Sequence, residues 1–135
     1  MEANRRYDLA LFGATGFTGG LTARYLAEHG PANLRWALVG RNRAKLEAVA
    51  ARLAELDSAV PAPELLEADA ADREALRKVA EAAKVVVTTV GPYALYGEPL
   101  VAACAAAGTD YVDLPGEPEF VDRMWLEHHA EAERT

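Results

Sequence analysis

Three glycines at G-x-x-G-x-x-G spacing, in Gly13-Ala14-Thr15-Gly16-Phe17-Thr18-Gly19, are the residues of this chain best suited to hold a ligand on bare backbone. They follow the apolar run Leu9-Ala10-Leu11-Phe12 and open a helical pattern that continues to His29 before Gly30-Pro31. A glycine turn in that setting binds phosphate for two physical reasons. Glycine removes the side chains that would hold an anion off the backbone, and the helix N-terminus offers unpaired amides at the positive end of its dipole. Gly13 permits the sharp exit from the strand, Gly16 lets a pyrophosphate approach, and Gly19 lets the helix pack close to the sheet. Thr15 lies inside the turn, and Phe17 and Thr18 supply the first helical amides. The Gly-Lys-Ser/Thr of a mononucleotide loop is absent, and the spacing is the slightly wider one of reductases, so the ligand expected here is a dinucleotide. The competing view is an ordinary strand-to-helix turn that happens to be rich in glycine.

A second cluster decides between NADP and NAD. Sites for NAD place an Asp or Glu after the second strand, where it accepts from the ribose 2′-hydroxyl. This chain reads Val39-Gly40-Arg41-Asn42-Arg43 there, with no carboxylate. Arg41 can pair with a 2′-phosphate and lie over the adenine, with Asn42 beside it, so NADP(H) is expected and NAD disfavoured. Arg43 and Lys45 either add positive field or are solvated residues of the next helix. Asp69, after the third strand, is placed to accept from the adenine amino group, or else to cap a helix together with Asp72. Val90-Gly91-Pro92-Tyr93 closes the fourth strand beside the first, where ligands of such sheets sit. Gly91 lets a ribose pass, Pro92 fixes the turn, and Tyr93 and Tyr96 either line a nicotinamide pocket or cover the following helix.

These residues need a scaffold, and the chain supplies alternating strands and helices. Leu9–Phe12, Leu34–Val39, Glu64–Ala68, Lys84–Val90 and Tyr111–Leu114 read as strands. Between them, Phe17–His29, Arg43–Leu56, a segment capped by Asp72, and about Gly97–Ala107 read as helices. Pro118 onward forms a last helix with Phe120, Val121, Met124, Trp125 and His128 on one stripe. Right-handed crossovers then leave a Rossmann-type doubly wound parallel sheet in three α/β/α layers. The chain stops on a helix where such a sheet returns for a sixth strand. It is therefore expected to be the NAD(P)-binding piece of a longer protein, spanning 1–135, with any substrate domain beyond Thr135.

Composition excludes several alternatives. Fourteen basic and 21 acidic side chains in 135 residues give a net charge of −7, a poor match for nucleic acid or an anionic membrane. No apolar segment is long enough to span a bilayer, and Met1 to Asp8 has no secretory core, so the cytoplasm is the expected compartment. Cys104 is the single cysteine, set in an alanine-rich run with no charged neighbour, and is expected to be buried and inert. His128 and His129 point about 100° apart on a helix, a poor pair for one metal ion. None of the five tyrosines is followed by lysine four residues on, which weighs against a short-chain reductase.

Taken together, Tyr7-Asp8-Leu9 through Gly19, Gly40-Arg41-Asn42, Val90-Gly91-Pro92-Tyr93 with Gly97, and Asp110-Tyr111-Val112-Asp113-Leu114 with Gly116-Glu117 resemble the N-terminal domain of the saccharopine dehydrogenase-like family. The likeness is greatest to its saccharopine reductase and trans-acting enoyl reductase branches. The resemblance implies NAD(P)-dependent hydride transfer to or from a C=N or C=C bond. It also implies a second domain for the small-molecule substrate and for homodimerisation. Asp113 and Glu117 are the carboxylates nearest the substrate side, as acid/base candidates or as an ordinary helix start. A regulatory module that senses NADP(H) without turnover would need the same glycine turn, and the sequence does not separate the two.

Overall fold

The computed structural model describes residues 4–135; Met1, Glu2 and Ala3, the start of the segment read as lacking a secretory core, lie outside the described residues. Five strands form one parallel sheet: β1 Tyr7–Phe12, β2 Trp36–Gly40, β3 Glu64–Glu67, β4 Ala83–Thr88 and β5 Asp110–Val112, in the order β3-β2-β1-β4-β5. The helices are α1 Phe17–His29, α2 Arg43–Ala54, α3 Arg73–Ala82, the single turn α4 Tyr93–Tyr96, α5 Glu98–Ala107 and α6 Pro118–Arg134. The chain leaves β1 toward β2 and β3, then returns to place β4 on the other side of β1. The switch point therefore lies between β1 and β4, at the glycine turn.

Alternation along the central strands explains the three layers. Leu11, Trp36 and Leu38 face one side and pack with Ala23 and Ala27 of α1 and Leu46 and Val49 of α2. Ala10, Phe12, Ala37, Val39 and Val86 face the other, against Leu76, Val79 and Ala80 of α3 and Leu100 and Cys104 of α5. Strands covered on both faces need to be apolar throughout, and β2 is buried at every position. Cys104 is buried, and desolvation pushes its thiol up to about 12, so it is a packing residue as expected.

Element ends depart from the sequence expectations by a few residues, each with a local cause. β1 begins at Tyr7, two residues early, because Tyr7 pairs with Ala83. β4 stops at Thr88 rather than Val90, because its partner β1 turns away after Phe12, the residue opposite Thr88. Leu34 belongs to a turn, its amide bonding Pro31 O at 3.1 Å, so β2 starts at Trp36. α2 ends at Ala54, since the amides of Glu55 and Leu56 fold back to Arg52 O and Leu53 O. β3 ends at Glu67 and β5 runs from Asp110 to Val112, three residues paired only with β4. The turn α4 was not foreseen. The expected stripe on α6 is narrower than proposed: Phe120 and Met124 are buried, whereas Val121 and Trp125 are 50% and 62% exposed. Among the described residues no helix is long and apolar enough to cross a membrane.

The amino end of the sheet is tied by charge. Asp8 on β1 accepts from Arg35 just before β2 through the backbone amide at 3.1 Å, Nε at 3.2 Å and a terminal guanidinium nitrogen at 2.7 Å. Lys84 of β4 reaches the same carboxylate at 3.2 Å. These donors hold Asp8 well below the usual carboxylate range, the Arg35 side-chain bonds contributing most. A carboxyl depressed in the folded state stabilises the fold above its unfolded value of about 3.9, and that stability is lost as pH falls below it. Urea melts of wild type and Asp8→Asn between pH 7 and pH 3 should show a less stable but flatter variant. Parallel pH profiles would refute the latch.

Candidate functional site: a cleft at the carboxyl ends of the strands

The turn after β1 is built by backbone contacts that exclude side chains. Gly13 has φ +86°, a left-handed conformation, and a Cβ there would lie 2.8 Å from both Thr89 Oγ1 and Val90 Cγ2. A Cβ on Gly19 would sit 1.9 Å from Gly13 O, so α1 approaches the turn closer than any side chain permits. Gly16 differs. Its φ is −78° and its nearest neighbour to a Cβ would be Gly13 O at an ordinary 3.5 Å, so nothing within the protein demands glycine there. Open space beside a glycine at a helix N-terminus is what an arriving phosphate requires.

Hydrogen bonding leaves the helix mouth available. Gly13 and Ala14 donate to Val39 O and Gly16 donates to Gly13 O. The first bonded amide of α1 is that of Gly20, on Gly16 O at 2.8 Å, so the amides of Phe17 and Thr18 precede the helical ladder. Gly16 as N-cap brings no side chain to cap them, and no acidic residue occupies the first turn.

A cleft of about 370 Å³ opens in front of this turn, lined by residues that end four neighbouring strands. Gly13, Thr15 and Gly16 come from the β1 side, Gly40 and Arg41 from β2, Ala68 to Ala71 from β3, and Thr89, Val90 and Gly91 from β4, with Tyr96 of α4 at the rim. Gly91 leaves room: a Cβ would meet only the Tyr93 ring and amide, at 3.6–3.8 Å. The cleft therefore has a phosphate-compatible floor, an exposed arginine at one end and a glycine wall at the other.

Of the residues singled out from sequence, Gly13, Thr15, Gly16, Arg41, Asp69, Gly91 and Tyr96 line the cleft together. The others take different positions. Phe17 is 86% exposed, and Gly19 is buried against the turn. Thr18 lies exposed on α1, its carbonyl accepting from Thr22. Asn42 is the N-cap of α2, its Oδ1 accepting from the Lys45 amide at 3.0 Å. Arg43 is engaged by Glu47 and by Leu65 O. Pro92 starts α4 after a cis bond from Gly91. Tyr93 corrects the expectation of a cofactor contact by its ring: the ring is buried against Phe120, with centroids 5.7 Å apart, and its hydroxyl donates to Thr88 O at 3.2 Å. Its aromatic bulk fills the gap between β4 and α6, which is why it is not at the cleft. Tyr96 is the tyrosine that is.

The cap of α3 is Asp72, whereas Asp69 belongs to the loop before it. It lines the cleft while Oδ1 accepts from the Ala71 amide at 2.9 Å, and Asp72 caps α3 by accepting from the Ala75 amide at 3.1 Å. The two acid/base candidates are engaged within the protein. Asp113 accepts from the Tyr111 hydroxyl at 2.7 Å, and burial with this bond pushes the Tyr111 pKa strongly up. Glu117 accepts from the amides of Tyr93 and Ala94. Thr89 was missed by sequence reasoning, although its place at the end of β4 beside the switch point is a signal for it. Its Oγ1 lies 3.4 Å from the carbonyls of Phe12 and Gly13 and helps fix the turn.

Comparison with known proteins agrees with this geometry. Residues 9–135 match the family described as the saccharopine dehydrogenase NADP binding domain. A Mycobacterium tuberculosis protein provisionally named a trans-acting enoyl reductase is 50% identical over 131 residues, covering 97% of this chain and 30% of that protein. The trans-acting enoyl reductase of Mycobacterium ulcerans is 47% identical over 134 residues, covering 99% and 31%. The chain thus spans about 30% of the length of the curated relatives it matches. Among solved structures, apo saccharopine dehydrogenase (L-Glu forming) from Saccharomyces cerevisiae superposes on 86% of this chain and 23% of its own, with a TM-score of 0.67 at 20% identity. At that identity the likeness shows the fold alone. By the family match, the chain belongs to the saccharopine dehydrogenase NADP-binding domain family, a Rossmann-type domain whose cofactor is NADP.

Proposed function

We propose that this chain is the cofactor-holding part of an NADP(H)-dependent reductase that acts on a C=C or C=N bond. The observation that carries the proposal is the open space at Gly16, in a cleft that Arg41 lines from the end of β2, where the Gly40–Arg43 segment has no carboxylate. The names of the curated relatives favour an enoyl, C=C, substrate. Substrate binding and homodimerisation fall, in this reading, to the part of such longer proteins outside this match.

In this reading the amides of Phe17 and Thr18 and the dipole of α1 hold the pyrophosphate over Gly16. Arg41 pairs with the 2′-phosphate, a charge-assisted contact available only to the phosphorylated nucleotide. Asp69 and the Ala70–Ala71 backbone flank the adenine, and Thr89 to Gly91 with Tyr96 form the wall beside the nicotinamide ribose. Bound NADPH supplies the reducing equivalent. The domain positions it, and Asp113 and Glu117, each held by partners within the protein, are assigned no proton donation.

Three substitutions separate the parts of this proposal in fluorescence titrations. Gly16→Val should fold normally, since its backbone suits any residue, yet lose at least about tenfold in NADPH affinity as the side chain occupies the phosphate position. Gly19→Ala should lose stability as well as affinity, because the turn itself must move. Arg41→Ala should cost roughly 1.5–3 kcal/mol in NADPH binding, about 10- to 100-fold, with NADH nearly unaffected. Unchanged NADPH affinity in Gly16→Val, or equal losses of both nucleotides in Arg41→Ala, would overturn the assignment.

A further inference from the structure

Glu117 sits at the N-cap of α6, where a side chain commonly caps its own helix, yet it makes no such bond. Instead its carboxylate reaches across to α4. One oxygen accepts from the Tyr93 amide at 2.8 Å and the other from the Ala94 amide at 3.1 Å. Pro92 ahead of them has no amide, and Leu95 and Tyr96 donate back to Pro92 O. The two donors that open α4 are thus both taken by one carboxylate 23 or more residues away in sequence.

Other contacts around α4 converge on the same connection between β5 and α6. The Leu114 amide lies 3.4 Å from the Tyr93 hydroxyl, which is itself bonded to Thr88 O. Gly97, just after α4, has no room for a Cβ, which would meet Phe120 Cζ at 2.7 Å. Only one turn of helix holds Tyr96 at the rim of the cleft, and a four-residue helix has no stability of its own. Its position must come from these tertiary contacts, of which the Glu117 pair is the charged one.

We propose that Glu117 is a positioning residue, whose carboxylate fixes the Gly91–Tyr96 wall of the cleft and so sets how tightly the nicotinamide half of the dinucleotide is held. The proposal rests on the cofactor reading above. It assigns Glu117 no contact with the nucleotide. A glutamine keeps the shape but turns one acceptor into a donor facing an amide, so one of the two bonds is lost and the other loses its charge.

The test compares NADPH with adenosine 2′,5′-bisphosphate, which fills only the Arg41 end of the cleft. Wild type should prefer NADPH. Glu117→Gln should lose about tenfold in NADPH affinity and less than about twofold for the bisphosphate. Amide hydrogen exchange at Tyr93 and Ala94 should quicken in the same variant without nucleotide. Glu117→Asp, which keeps the charge on a shorter arm, should fall between and serves if the glutamine variant does not fold. Equal losses for both ligands would make Glu117 a general fold contact and overturn the proposal, as would unchanged NADPH affinity or unchanged exchange. If wild type binds the bisphosphate but gains nothing from the nicotinamide half, this proposal fails and the Arg41 assignment stands; if it binds neither, the cofactor reading itself fails.

Discussion

Close approach of α1 to the turn after β1 is the constraint on which the rest of the structure depends. Gly19 sits so near Gly13 O that a single methyl group would collide at 1.9 Å. That contact fixes where the helix begins, and hence where its unbonded amides point. Gly13 must in turn hold a left-handed backbone under Thr89 and Val90, which locks the end of β4 beside the end of β1. The phosphate floor and the β4 wall are therefore one rigid object. Of the three turn glycines, Gly16 is the one spared any steric demand from the protein, and its bare face is turned to what arrives from outside.

The two ends of the sheet use charge in opposite ways. At the amino end, Asp8 gathers Arg35 and Lys84 and binds three strands together. At the carboxyl end, the helix dipole and an exposed arginine face the cleft. A net charge of −7 is no obstacle to an anionic ligand when the local field is set by groups within a few ångströms, because longer-range terms are screened over about 8–10 Å. Three carboxylates of this end accept internal hydrogen bonds: Asp69 from an amide of its own loop, Asp113 from the Tyr111 hydroxyl and Glu117 from the amides that open α4.

Belonging to an NADP-binding family accounts for the cleft but assigns no catalytic acid within the chain. The carboxylates in the Asp113-to-Glu117 segment look like chemistry when read along the sequence, since they sit beyond a strand end. In space Glu117 joins the start of α6 to α4, while Asp113 accepts from Tyr111 two residues before it.

Local rules determined much of this protein from sequence alone. Hydrophobic periodicity located the five strands and the main helices, and helix start signals placed α1 from Phe17 to His29 and Asp72 at the cap of α3, because these depend on neighbours within a few residues. The glycine spacing marked the phosphate turn for the same reason, and the missing carboxylate after β2 pointed to NADP. Tertiary structure decided what depends on distant partners. β4 ends where β1 turns away, α4 forms because Glu117 binds its amides, and Tyr93 goes to the core while Tyr96 takes the rim. A tyrosine three residues from another carries the same chemistry in sequence. Phe120 arriving from α6 and the hydroxyl's bonds to Thr88 and Leu114 are contacts that Tyr93 makes from its buried place.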